Sequence, residues 1–239
     1  MKSLWLLLLP VTAFLATMVV KDHLKANESP EGWAEMNASQ RLADVTQRRA
    51  AEVRASLQNK SLALGDNVFI RLMKESSELE LWMRPRAGKV FQLYKTWPIA
   101  RWSGTLGPKQ KEGDMQAPEG FYDVVAKRMN PMSKYHLSFN IGYPNAHDRS
   151  LNRTGSLIMI HGSDVSIGCF AMTNPVIEEI YLIVNAAHKR GQTSVPVHCF
   201  PFRMTDERLQ ASADSEWHGF WLELKKSWDH FEQTRVPQL

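Results

Sequence analysis

The segment from Leu157 to Pro175 constrains this chain more than any other. Leu157-Ile158-Met159-Ile160 is an apolar run that reads as a strand, and it ends on His161. Gly162-Ser163-Asp164-Val165-Ser166-Ile167-Gly168 then turns the chain towards Cys169, after which Thr173 or Asn174 caps a helix with Pro175 at its first position. Glu178 and Glu179 near the start of that helix, Lys189 and Arg190 at its end and Gly191 beyond it suit the helix dipole. Ile177, Ile180, Tyr181 and Val184 recur on one face, which must pack on a sheet.

The two reactive groups in this unit are an imidazole and a thiol. A free cysteine is only a few per cent thiolate at neutral pH, so a nucleophilic one needs a base, a helix N-terminus or both nearby. His161 is the candidate base, and the helix after Cys169 is expected to bring its dipole close to the sulfur. Gly168 permits a tight turn, so the N–H groups of Gly168 and Cys169 become candidates for stabilising an oxyanion. Two plainer readings compete: a packed apolar cysteine, or a disulfide to Cys199. The motif around Cys169 favours two free thiols.

Around this unit the pattern is that of a β-rich domain. Asn67 to Met73, Glu78 to Met83, Lys89 to Trp97, Tyr135 to Tyr143 and Val195 to Phe202 read as strands, the first three as antiparallel hairpins. Gly104 to Gly120 is a long loop, either a functional element or a flexible connection. Trp217, Phe220, Trp221, Leu224, Trp228 and Phe231 form one apolar helical stripe that should close one side of the domain. His136 and His147 have no thiol or carboxylate at ligand spacing, so no metal site is expected. With 29 basic against 25 acidic residues and no arginine-rich stripe, the net charge of +4 does not make a nucleic-acid binder.

His161-Gly162 followed by Ser166-Ile167-Gly168-Cys169 resembles the active-site signature of the L,D-transpeptidase catalytic-domain (YkuD-like) family, cysteine acyltransferases of the bacterial cell wall. Ser103-Gly104 leading to Ala117-Pro118-Glu119-Gly120-Phe121-Tyr122 resembles a second segment of that family. Leu106 to Gln110, Asn140 to Ala146, Val165 to Asn174 and Pro201 to Asp206 are most similar to its YafK-like branch. The resemblance implies a mainly β (α+β) fold, a β-sandwich or barrel-like catalytic domain with packed helices, that works on peptidoglycan stem peptides without a metal or organic cofactor. Cys169 is then the nucleophile and His161 the general base and acid, with the Gly162 carbonyl orienting the imidazole and the Gly168 N–H at the oxyanion. Ser166, Arg149 and Tyr143 are the expected substrate contacts. The family's second histidine and its arginine, two residues before and after the cysteine, are replaced by Ile167 and Ala171, and the His161 to Cys169 segment is shortened. The acyl acceptor is therefore open between an amine, giving a crosslink or an attached lipoprotein, and water, releasing wall-linked lipoprotein. A non-catalytic wall-binding module is the remaining alternative.

This reading divides the chain into residues 1–21, a signal peptide or inner-membrane anchor; 22–62, a polar linker and helix that forms a solvated stalk or docks lightly; 63–205, the catalytic domain; and 206–239, a C-terminal helix. The apolar run from Leu4 to Val20 between Lys2 and Lys21 is an export signal, so the domain is expected in the periplasm or cell envelope.

Overall fold

The computed structural model describes residues 27–238. The segment expected to direct export lies outside the described residues, and among these no helix is long and apolar enough to cross a membrane.

Strands β1 (Asn67–Met73), β2 (Glu78–Arg84) and β3 (Gln92–Pro98) form the expected antiparallel meander, and β4 is Gly120–Val125. Next come β5 (Met129–Asn130), β6 (Ser138–Asn140), β7 (Met159–His161), β8 (Phe170–Ala171) and β9 (Ser194–Phe200). They make a five-stranded sheet ordered β3-β2-β1-β9-β4 and a four-stranded sheet ordered β5-β6-β7-β8. Both are mixed, because β9 lies parallel to β1 and β8 parallel to β7. The helices are α1 (Ala38–Gln58), α2 (Ala146–Ser150), α3 (Asn174–Lys189), α4 (Asp206–Gln210) and α5 (His218–Thr234).

Strand β1 is buried on both faces, which explains its nearly continuous apolar sequence. One face joins the main core with Ile177, Ile180 and Val184 of α3. The other meets the aromatic stripe of α5, where Trp221, Leu224, Trp228 and Phe231 are buried against Met73, Phe200, Phe69 and Trp82. This second cover also buries the polar side of β2. Glu80 pairs with Arg71 at 2.7 Å, and the Arg71 guanidinium lies between the Trp82, Trp228 and Phe231 rings. Burial disfavours the Glu80 charge, but Arg71 and the Trp82 N–H more than offset it and lower its pKa.

Helix α1 is no solvated stalk. An Asn37–Gln40 capping box starts it, and Val45, Ala50, Val53 and Leu57 are buried. Arg48 and Arg49 converge on Glu178 of α3, which also holds His136 at 2.8 Å. Sparse apolar positions suffice because the docking is completed by these ion pairs and by the buried Arg41, bonded to the carbonyls of Trp33, Pro131 and Ser133.

The Gly104 to Gly120 loop is anchored. Lys74 and Glu119, both with fully buried side chains, pair at 2.9 Å, and Lys74 Nζ also donates to Gly107 O at 2.7 Å and Ala117 O at 3.1 Å. Glu119 additionally accepts from Gly107 N and Trp221 Nε1. Desolvation lowers the Lys74 pKa against the pull of Glu119. Truncation as Glu119→Ala leaves that ammonium uncompensated and is expected to destabilise the protein by about 3–5 kcal/mol. Chemical denaturation measures it, and a loss under about 1 kcal/mol would mean that the pair does not anchor the loop.

Candidate active site

The direction of β8 decides where the thiol goes. Ile160 pairs with Phe170 and His161 with Ala171, so residues 162–169 carry the chain back along β7, and Cys169 falls beside Met159. The Met159 N–H accordingly points at Cys169 Sγ, 3.4 Å away. Residues 159 and 161 share a face, so thiol and imidazole project to the same side from positions about 7 Å apart along the strand. Both line a cavity of about 870 Å³. No direct hydrogen bond joins them among the described residues.

His161 is buried, and its Nδ1 lies 2.5 Å from Gly162 O. A carbonyl only accepts, so Nδ1 carries the proton and Nε2 is left with its lone pair, the tautomer a base requires. Burial lowers the His161 pKa, opposed by the Gly162 hydrogen bond. Burial likewise raises the Cys169 pKa, opposed by the Met159 N–H and Lys109. The resting pair is therefore neutral thiol and neutral imidazole. The helix dipole does not alter this, because β8 separates Cys169 from α3 and the first helical N–H, that of Asn174, is taken by Asn27 Oδ1 at 2.9 Å.

Ser166 staples the nucleophile turn. Its Oγ donates to Cys169 O at 2.7 Å and accepts from Gly168 N at 3.2 Å, so the Gly168 N–H has a partner at rest. Gly168 has φ +128°, a backbone region that side chains rarely adopt. At Gly162 the constraint is space, since a Cβ would sit 2.6 Å from Asn174 Oδ1 and 2.9 Å from Tyr135 O.

Arg149 and Tyr143 are not brought to this cavity. Arg149 donates to Pro144 O and lines a separate pocket beside Arg128 and Asn145. Tyr143 is buried, its hydroxyl donating to Lys109 O at 3.1 Å. In their place stand residues that sequence reasoning gave no role. Tyr135 packs on the His161 ring at 4.8 Å, and Ser138, opposite His161 in the β6–β7 ladder, keeps a buried hydroxyl without a partner among the described residues. Lys109 lines the cavity while bonded to Asp114 at 2.5 Å and to Lys111 O at 2.8 Å. Burial raises the Asp114 pKa, but Lys109 and three backbone N–H groups bring it down to about 2, so the loop is ordered around a charged carboxylate. Ile167, 75% exposed, stands on the rim where the family's second histidine was expected, whereas Ala171, in place of the arginine, is fully buried in β8. His136 is structural, stacked on Trp33 and bonded to Ser29 and Glu178, and His147 stacks on Phe220. Both cysteines are free, with Cys199 a fully buried core residue.

The family model described as the YkuD L,D-transpeptidase catalytic domain matches residues 81–198, from β2 into β9. YafK of Escherichia coli K12 and of E. coli O157:H7, a protein named as a provisional L,D-transpeptidase, is 44% identical over 182 residues, 76% of this chain and 73% of the relative. The chain belongs to the L,D-transpeptidase family. Among solved structures, the helical cell shape determining protein Pgp2 of Campylobacter jejuni aligns with TM-score 0.45 and 23% identity over 67% of this L,D-transpeptidase chain and 59% of its own. Bd1075 of Bdellovibrio bacteriovorus aligns with TM-score 0.39 and 21% identity over 70% of this chain and 58% of its own.

Proposed function

We propose that this protein is a peptidoglycan-modifying cysteine acyltransferase acting on stem peptides in the cell envelope. The observation that carries the reading is the His161 tautomer: Nδ1 is committed to Gly162 O, and Nε2 is left as a base in the cavity that Cys169 also lines. His161 Nε2 takes the thiol proton as Cys169 Sγ attacks the carbonyl of a diaminopimelate in the stem. The tetrahedral oxyanion meets the backbone N–H of Cys169, and that of Gly168 once it exchanges Ser166 Oγ, its partner at rest, for the oxyanion. The imidazolium returns its proton to the leaving amine, the C–N bond breaks, and a thioester remains on Cys169. Because both groups are neutral at rest, the proton moves only once substrate is seated, in the manner of a serine–histidine pair rather than a preformed thiolate. No metal or organic cofactor takes part.

An amine or water then resolves the thioester. Water is favoured by the loss of polar groups on both sides of the nucleophile, with exposed Ile167 where the family carries its second histidine and buried Ala171 where it carries arginine. Release of a wall-linked lipoprotein from diaminopimelate is the corresponding reaction. Incubation with disaccharide-peptides, crosslinked wall and lipoprotein-bound wall, read by mass spectrometry, is expected to yield hydrolysed diaminopimelate bonds in excess of new crosslinks even with acceptor stem supplied. Crosslinks outnumbering hydrolysed stems would make transpeptidation the main activity. No product, and no covalent adduct on Cys169, would leave a wall-binding module.

A further inference from the structure

The carbonyl that orients His161 is itself held from behind. Gly162 C=O and Ser163 N–H belong to one planar peptide, so fixing one end fixes the direction of the other. The carbonyl faces His161 Nδ1 at 2.5 Å, and the N–H donates to Asn174 Oδ1 at 2.8 Å. Asn174 is 4% exposed and is clamped in turn, its backbone N–H donating to Asn27 Oδ1 at 2.9 Å and its Nδ2 to Asn27 O at 2.6 Å. The surrounding backbone would not keep this geometry unaided. Ser163 has φ +63° and Thr173 φ +70°, left-handed values that cost a non-glycine residue about 1–3 kcal/mol each. The two are tied by Thr173 N–H to Ser163 O at 2.9 Å.

We infer that Asn174 is a positioning residue for His161, acting through the Gly162–Ser163 peptide plane, and that Asn27 supports it, so that the segment just before α1 is part of the active-site frame. The inference rests on His161 being the base. It accounts for an asparagine at the start of α3 whose side chain turns away from its own helix to a loop N–H, and for the crowding that forbids a side chain on Gly162.

The test reads His161 directly. Imidazole nitrogen NMR of the wild type is expected to show the Nδ1–H tautomer. Asn174→Ala should mix in the Nε2–H tautomer and lower the His161 pKa, because the Gly162 hydrogen bond that favours the imidazolium is loosened. Turnover should fall about 10- to 100-fold through kcat with little change in KM. Asn174→Asp keeps an acceptor for the Ser163 N–H but loses the Nδ2 donation to Asn27 O, so it should hold the Nδ1–H tautomer better than Asn174→Ala and recover part of the activity. The titratable groups sharing the cavity, Cys169, Tyr135, Lys134, Lys109 and Glu112, together with the neighbouring His136, are untouched in these variants. An unchanged tautomer and titration in Asn174→Ala, with only the melting temperature lowered, overturns the inference. If that variant does not fold, Asn27→Ala decides: a second His161 tautomer supports the inference and a wild-type spectrum overturns it. Failure of His161 as base is distinguishable, since it would appear as full turnover in His161→Ala while the wild-type imidazole still responded to Asn174→Ala.

Discussion

Replacing Cys169 with alanine is expected to remove turnover altogether, a loss of at least about 10³-fold, with folding intact. Among the described residues the sulfur makes two weak hydrogen bonds, with Met159 N at 3.4 Å and Leu157 O at 3.7 Å, and Cys169 is only partly buried. Removing it should therefore change stability by less than about 1 kcal/mol. Intact-mass spectrometry gives the complementary result: a thioester adduct on the wild-type protein with a stem peptide and none on Cys169→Ala. Activity retained by the variant would dismiss the thiol as nucleophile, and so would a Cys169–Cys199 disulfide in the active protein.

The second large effect belongs to His161. His161→Ala should lower turnover by about 10²- to 10⁴-fold. Its pH behaviour follows from the two opposed shifts. Burial raises the Cys169 pKa, so the thiolate fraction is smaller at neutral pH than for a free cysteine, and wild-type alkylation by iodoacetamide should keep rising beyond about pH 9 with no plateau near neutrality. Burial lowers the His161 pKa, so the base stays unprotonated, and turnover persists, down to below about pH 6.5 before falling as the imidazole takes up a proton. In His161→Ala that acid limb should disappear. Alkylation should be slower at neutral pH but converge with wild type in alkali, where the thiolate needs no base, while turnover does not recover. A wild-type alkylation profile in His161→Ala, or a plateau near neutrality in the wild type, would mean that the groups interact in some other way.

Much of the fold was legible because it is encoded locally. Strand β1 coincides with the run Asn67 to Met73, and α3 begins one residue before Pro175 and ends two residues before Gly191. The α5 stripe appears as a spacing of three and four. Strand β4 escaped notice because it follows the glycine-rich loop directly, and the docking of α1 escaped notice because ion pairs to α3 do the work that a wide apolar face would otherwise signal.

The family, the candidate pair Cys169 and His161, the glycine after the imidazole and the helix that follows could all be read from neighbouring residues, since motif, capping and periodicity are local properties. Tertiary structure alone decided how these groups meet. The parallel register of β7 with β8 sets Cys169 beside Met159, and two- and three-residue strands are too short to announce a register. Packing drew Tyr143 into the core and Arg149 to another pocket, brought Tyr135 and Lys109 to the cavity, and closed the Asn27–Asn174–Ser163 bonds behind the imidazole. Those contacts join residues far apart in the chain, and their energies arise only from burial and geometry, which no local pattern carries.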